Sequence, residues 1–583
     1  MSKQGHAEGT TERLNERLEE QSRSFPVSEH PSKPLLGRRD IDEGIDGTGV
    51  TWPSRTAEIQ KNEKAELAKQ EKAQEKEHQN DETDQLDDDE GIDDALRKAG
   101  PRMNDKSLPE MRDYLRRIGY KPTDLNKLNL IHVTGTKGKG STCALVQSIL
   151  RNWESPDGKK LKTGLFTSPH LVAMRERIRI NGDPISEDLF AKYTEEVWNR
   201  LEATKDQAVL DLNDPKKAIK SQLANPDKPA YFRFLTLVAF HALMQEQVDV
   251  AILEVGVGGE YDSTNIIENP IVCGITALGL DHVSVLGNTL ESIAWHKAGI
   301  IKNKVPAIAF DQVPEANEVI KNRAAEKDAP LHTVYASNVS ALDQVEIGLM
   351  GVHQRYNALL AVELCKTWLQ RCKGVEFNEP QGQVPASFLK GLKEVKWPGR
   401  GQILPVQQTK YAQDVKPNTD LTWYLDGAHT AESLEVCANW FRDTVKETTD
   451  KTTRVLVFNC THGRDGLRLL ANIAKIHEVV HFDHAVFSTN VTFKKGYTTD
   501  NANVTVAIDE KLSLQHELAE SWLQLVPEFP SDHTHVVGSV EEAVLWSIDH
   551  SQNSPEGQKV QVLSTGSLIM IGNTLTVMDI PPQ

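Results

Sequence analysis

The chain is poor in the features that mark secreted, membrane-spanning or nucleic-acid-binding proteins. Six cysteines stand in 583 residues, at positions 143, 273, 365, 372, 437 and 460. They show neither CxxC spacing nor the density of a disulfide scaffold, so they read as reduced, mostly buried small apolar residues of an intracellular protein. No window approaches the roughly 20 apolar residues of a membrane helix. Positive charge is also in deficit, with 66 Lys and Arg against 84 Asp and Glu and a net charge of −18. That balance argues against nucleic acid or an anionic membrane as partner of the whole chain. The N-terminus lacks the apolar core of a signal peptide, and its many acidic residues speak against a mitochondrial presequence. The expected location is the cytoplasm, the alternative being a mitochondrial pool, matrix or inner-membrane associated, opened by a different start. The expected state is a monomer.

Aromatics are scarcest at the start, where residues 1–98 hold two, Phe25 and Trp52. Crowded with Glu, Asp, Lys, Gln and Ser, this stretch cannot bury enough apolar surface to offset chain entropy, and it is predicted to be a disordered charged tail. From Asp81 to Asp94 it carries nine carboxylates and no base, which reads as a solubilising linker before an interaction tail.

After Pro101 the pattern turns globular. Leu128 to Arg151, LNLIHVTGTKGKGSTCALVQSILR, reads as a buried strand, a glycine-rich turn and a helix. The run Gly135-Thr136-Lys137-Gly138-Lys139-Gly140-Ser141-Thr142 is a P-loop one residue shorter than the usual pattern between its glycines. Successive backbone N–H groups in such a turn point at phosphate oxygens, and the helix that follows adds the positive end of its dipole. Lys139 is then the lysine for the β- and γ-phosphates, and the hydroxyl of Ser141 or Thr142 can reach Mg²⁺. A plain turn with two solvated lysines explains the glycines but not the flanking apolar strand and helix.

Further strands are predicted at Leu161 to Phe166, Asp249 to Val255, Ile271 to Thr276 and Val305 to Phe310, with helices at Leu108 to Gly119, Tyr231 to Gln245 and Thr289 to Ile301. Buried strands alternating with helices imply a mostly parallel sheet. A β-rich interlude from Leu331 to Ile347 and a helix from Asn357 to Leu369 lead to Trp397-Pro398-Gly399-Arg400-Gly401, turn residues that place a domain boundary. Beyond it the rhythm repeats, with strands near Thr422 to Leu425, Arg454 to Phe458, Val479 to Phe487, His535 to Val537 and Val560 to Leu563. The expected architecture is α/β: a tail (1–98), a P-loop ATPase domain (99–396) and a second, Rossmann-like domain (397–583) whose polar residues Asp426-Gly427-Ala428-His429 stand at a strand end.

The runs HVTGTKGKGST (132–142), FTSPHL (166–171), RERIRING (175–182), FRFLTLVAFHA (232–242), LEVGVGG (253–259), LDHVSVLGNTLESIAWHKAGIIK (280–302), GVHQRYNA (351–358), WPGR (397–400) and YLDGAHT (424–430) occur in the order in which they are found in the folylpolyglutamate synthase family, which the chain resembles from about residue 100 onward. The resemblance implies an ATP-dependent ligase that joins L-glutamate to the γ-carboxyl of a reduced folate polyglutamate through an acyl phosphate. It implies Mg²⁺ held by Ser141 and Glu254 at the nucleotide, and a second ion held by Ser168, Glu254 and His282. It also implies ATP contacts from Arg400, Asp426 and His429, and a catalytic Lys297 that is carbamylated or, failing that, remains an ammonium ion binding a substrate anion. Gln354 and Asn357 are candidate adenine or inter-domain contacts. Arg175, Arg177 and Arg179 are candidate carboxylate binders, although alternation along a strand would send some of them to solvent. Two other readings stay open: dihydrofolate synthase, which adds the first glutamate to dihydropteroate, and a binding protein that keeps the fold without the chemistry. Lys137 and the FRFLTLVAFHA run favour the polyglutamylating branch, and the joint presence of Lys139, Ser168, Glu254, His282, Lys297 and Asp426 disfavours the binding protein.

Overall fold

The computed structural model describes residues 104, 106–207, 228–379, 383–416, 420–445, 451–461, 464–495 and 511–581. The tail predicted over 1–98 lies outside the described residues.

Two sheets carry the chain. The first has eight strands: β1 Ile131–Thr134, β2 Thr163–Phe166, β3 Ile178–Ile180, β4 Asp183–Pro184, β5 Val250–Glu254, β6 Val272–Ile275, β7 Ala307–Phe310 and β8 Leu331–Val334. Their order is β4-β3-β2-β5-β1-β6-β7-β8. All run in one direction except β3, which doubles back after β2 and pairs antiparallel with both β2 and β4. The central strands β1 and β5 are buried at every position, as strands covered on both faces by helices must be. Helix Lys139–Asn152 covers one face with helix Val352–Lys373, through Val146, Ile149, Leu360, Leu364 and Trp368. Helices Ser107–Arg117 and Tyr231–Gln245 meet on the other, through Met111, Leu115, Leu237 and Phe240. At about 25 cal/mol per Å² of apolar surface, each such large side chain contributes roughly 1.5–3 kcal/mol by burial.

The second sheet has six strands, β9 Gln402–Pro405, β10 Asp420–Leu425, β11 Thr452–Phe458, β12 His484–Ser488, β13 Thr534–Val537 and β14 Lys559–Thr565, in the order β13-β12-β11-β14-β10-β9. All pairs are parallel except β9 with β10. Among the described residues no helix is long and apolar enough to cross a membrane, and the six cysteines are free, five of them buried.

Three local expectations are corrected. The predicted β-rich interlude ends at Val334, and Ala336–Leu342 is a 3₁₀ turn. The strand predicted from Val479 starts at His484, because Val480 still belongs to helix Gly466–Val480, which ends on the left-handed His481. The helix predicted from Asn357 begins a turn and a half earlier, at Val352, so Gln354 and Asn357 lie inside its first turns and are buried.

Candidate active site

β1 lies between β5 and β6, so the turn leaving it opens at the C-terminal ends of three parallel strands, where open α/β sheets bind ligands. The register pairs Val133 with Glu254 and Thr134 with Ile275. Glu254, the last residue of β5, therefore stands beside the start of the glycine turn. The turn itself is pinned: the amides of Thr136 and Lys137 donate to the Ala277 carbonyl at 3.0 and 3.1 Å, and Thr136 Oγ1 donates to the Gly279 carbonyl at 3.1 Å. Gly138 caps the helix with φ of 87°, a left-handed conformation that glycine takes without penalty, and a Cβ there would lie 2.2 Å from Asn357 Oδ1. The first N–H groups of helix Lys139–Asn152 have no partner within the helix and point into this opening.

Around that opening the charges are arranged by burial. Glu254 is 4% exposed and its Oε2 accepts from the Ser168 N–H at 3.0 Å. Loss of solvent raises its pKa, against the pull of Lys139, the Ser168 N–H, Arg400 and Arg177. A Cβ on Gly140 would meet Glu254 Oε2 and the Trp397 indole, each at 3.4 Å, so the carboxylate and the tryptophan both lie within van der Waals reach of the loop. Lys139 Nζ reaches the Thr136 carbonyl at 3.5 Å. Lys297, 2% exposed, donates from Nζ to the Gly135 carbonyl at 2.7 Å. Its burial, reinforced by Lys139, holds its pKa well below the usual lysine range, with Asp281 opposing. Ser141 Oγ accepts from Gln354 Nε2 at 3.3 Å, and Asn357 Nδ2 donates to Gln354 Oε1 at 2.9 Å. The Thr142 hydroxyl is buried without a hydrogen-bond partner.

From the second sheet, Asp426 follows β10 and its carboxylate accepts from the N–H of Gly401 at 2.8 Å and of Ala428 at 2.9 Å. Burial raises its pKa while Arg400 and His353 oppose. Arg400 donates to the Gly399 carbonyl at 3.1 Å, and its pKa is lowered by burial against the attraction of Asp426 and Glu254. Arg400 is thus the group of the second sheet that feels the carboxylate of the first.

The structure brings Lys139, Ser141, Ser168, Glu254, Lys297, Arg400 and Asp426 to this mouth. Other candidates are engaged at its margins. Lys137 forms an ion pair with Asp281 at 3.1 Å, and the N–H of His282 donates to the same aspartate at 3.1 Å. His429 holds the Gly427 carbonyl through Nδ1 at 2.9 Å and its own carbonyl accepts from Arg464. The expectation that strand alternation exposes part of Arg175, Arg177 and Arg179 is corrected: Met174–Arg177 is a 3₁₀ turn and β3 starts at Ile178. Arg177 and Arg179 are 1% and 5% exposed, and Arg179 lies over the Trp397 ring at 4.9 Å. Sequence reasoning missed His353, half-buried near Asp426 and Arg400, which pull its pKa in opposite directions under a dominant lowering by loss of solvent. Its signal was present in the GVHQRYNA run.

Among the described residues no three His, Cys, Asp or Glu side chains converge on a metal position. A magnesium site of one carboxylate, hydroxyls and water needs no such cluster. A buried Glu254 carboxylate held by the N–H of the hydroxyl-bearing Ser168 and next to Gly140, the residue before Ser141, fits a hard cation.

A glycine-rich anion cradle on one parallel sheet, faced by an arginine and an aspartate from a second, is the arrangement of an ATP-dependent ligase. Residues 407–577 match the family model described as dihydrofolate synthetase, C-terminal domain. The chain is 42% identical over 494 residues to a probable folylpolyglutamate synthase of Schizosaccharomyces pombe, covering 83% of this chain and 90% of that protein. It is 41% identical over 494 residues to folylpolyglutamate synthase of Neurospora crassa, covering 83% and 88%. Its fold is similar to that of Mycobacterium tuberculosis folylpolyglutamate synthase complexed with ADP, with a TM-score of 0.60 at 23% identity, over 85% of this chain and all of the other. The chain belongs to the folylpolyglutamate synthase family.

Proposed function

We propose that this enzyme adds L-glutamate to the γ-carboxyl of tetrahydrofolate (poly)glutamates at the expense of ATP. The observation that carries the reading is the meeting of Lys139, the buried Glu254 and Arg400 at the open end of β1, in a chain matched over most of its length by folylpolyglutamate synthases. A carboxylate does not form an amide at neutral pH without activation. An oxygen of the folate γ-carboxylate takes the γ-phosphoryl group of ATP, ADP leaves, and an acyl phosphate forms. The neutral amine of glutamate then attacks the acyl carbon, phosphate departs, and the amine loses its proton as the amide closes. The protein's task is to position three anions and neutralise their charge.

In this scheme the loop amides and Lys139 hold the transferring phosphate, Arg400 approaches it from the second sheet, and Asp426 accepts from ribose hydroxyls. Ser141 and Glu254 would hold Mg²⁺ at the nucleotide, and Ser168, Glu254 and His282 would hold a second ion; when bound, these ions would supply charge neutralisation for the phosphates. Lys297 has two readings. Its depressed pKa favours a neutral amine able to capture CO₂ as a carbamate, whereas its bond to the Gly135 carbonyl also suits a lysine that merely braces the loop.

The runner-up is dihydrofolate synthase, favoured by the description of the model that matches residues 407–577. Relatives covering 83% of the chain outweigh a match confined to the second sheet. Incubating the protein with MgATP, glutamate and either tetrahydrofolate or dihydropteroate, then weighing the products, separates them. Successive additions of glutamate to tetrahydrofolate are expected; use of dihydropteroate alone would replace the main reading with the runner-up.

A further inference from the structure

The chain leaves β2, makes a closed loop and returns, its neck fastened where the Thr167 N–H donates to the Arg177 carbonyl at 3.0 Å. Inside the loop the carboxylate of Glu176, 5% exposed, accepts from three consecutive backbone amides: Leu171 at 3.1 Å through Oε2, and Val172 and Ala173 at 2.9 and 2.8 Å through Oε1. Arg177 Nε adds a bond to His170 Nδ1 at 2.9 Å. One end of this braced segment is Ser168, whose N–H donates to Glu254. The other end leaves the first sheet altogether. Leu171 packs with Leu404, Leu425, Leu568 and Ile571 in the core of the second sheet. Its seat admits no extra atom: a Cβ on Gly572 would lie 1.9 Å from the Leu171 carbonyl oxygen, and one on Gly399 would lie 3.1 Å from Leu171 Cδ1. Gly399 immediately precedes Arg400.

We propose that Glu176 is a positioning residue for the ligation. By fixing the backbone of residues 171–173 it keeps Leu171 seated between Gly399 and Gly572, and this seat sets where Arg400 stands relative to Glu254 and the P-loop. Glu176 acts through Leu171 and does not touch substrate. An ionised carboxylate is suited to the task, because charge-assisted bonds to three amides exceed what a neutral side chain makes. A glutamine would keep one acceptor oxygen and turn an NH₂ group toward a backbone N–H. A purely local role, capping the short turn that follows, predicts effects that stop at the loop. The proposal rests on the ligase reading for its kinetic arm only.

The test compares the full-length wild type with E176A, E176Q, L171A and the double variant E176A/L171A, by steady-state kinetics and by hydrogen exchange resolved to peptides. E176A is expected to lower kcat by about tenfold or more while KM for ATP changes by less than about threefold, since the P-loop itself is untouched. L171A should act alike, and the double variant should fall no further than E176A alone, because both changes break one linkage. Exchange should quicken at 168–173 and also across the junction at 399–401 and 570–573, while β1 keeps its protection. E176Q should lie between wild type and E176A at both places, which keeps the test decisive should E176A fold poorly. Faster exchange confined to the loop, or multiplying losses in the double variant, would overturn the proposal. A wild type that adds no glutamate would remove the ligase reading, and the exchange pattern would still decide the brace.

Discussion

At the end of β1 the chain turns through Gly135–Gly138 and starts a helix whose first amides stay available, whereas at the end of β10 it turns through Asp426–His429 and uses up its own donors. There the Gly401 and Ala428 amides both go to Asp426, and His429 grips the Gly427 carbonyl. Both turns occupy the same place relative to a parallel sheet, yet only the first is left open to an anion. The second is closed by its own carboxylate and serves as a stiff platform that presents Arg400. Topology thus supplies the location of a site, and the hydrogen bonds a turn keeps for itself decide whether it binds a phosphate.

The comparison breaks most directly at Lys139. K139A should cost about 10³-fold in kcat by removing a charge aimed at the transferring phosphoryl group. A partly exposed loop lysine adds little to stability, so the melting temperature should move by less than about 2 °C. Near-wild-type turnover in a folded variant would strip the first turn of its role. Lys297 comes next. K297A should lose about 10²-fold or more in activity, and millimolar acetate or propionate should restore part of it if the lysine works as a carbamate. Absence of rescue, together with wild-type activity unchanged after CO₂ is removed, would assign the ammonium form instead. On the second platform R400A should reduce kcat by about 10–100-fold with both transitions in a calorimetric scan retained; an unaltered kcat would make the platform structural.

The smallest effect expected is one of acid stability, in the second sheet. His484 sits among His533, His535 and His550, with ring centroids 4.4, 5.5 and 4.6 Å away. Burial, then the neighbouring imidazoles, lowers its pKa to about 4, with Asp532 opposing, and Asp483 acts likewise on His550. The unfolded chain, with a histidine pKa near 6.5, binds the proton more readily. Stability is therefore full above about pH 6.5 and declines as pH falls from there toward 4. H484Q should flatten that decline in urea titrations at pH 5 and 7.5; an identical slope in the variant would show that the cluster does not set it.

Most of the first turn was legible in the sequence, because its parts are local. An apolar strand, three spaced glycines, Lys139 and an apolar helix lie within one run, and Glu254 ends the unbroken apolar strand of β5. The Asp426 turn was legible for the same reason. What stayed hidden depends on distant partners. The edge strand β9 has three exposed or half-exposed positions and a single buried one, Leu404, and no alternation to betray it. Of Arg175, Arg177 and Arg179, read as carboxylate binders with some of them facing solvent, Arg177 and Arg179 are instead covered by Tyr231 and Trp397. Glu176 carried no signal of its own in a run rich in arginine, because its partners are backbone amides, which no sequence pattern displays.

The contact between Gly140 and Trp397 has an evolutionary corollary. A Cβ at position 140 would lie 3.4 Å from the indole and from Glu254 Oε2, ordinary contact with no space beyond it, so the fitness of any side chain larger than alanine at 140 is conditional on what stands at 397. The two sites form an epistatic pair. A valine at 140, which reaches beyond that contact, should be deleterious in this background and milder where 397 has already become smaller, so the order in which the two substitutions arise decides whether the path between them is passable.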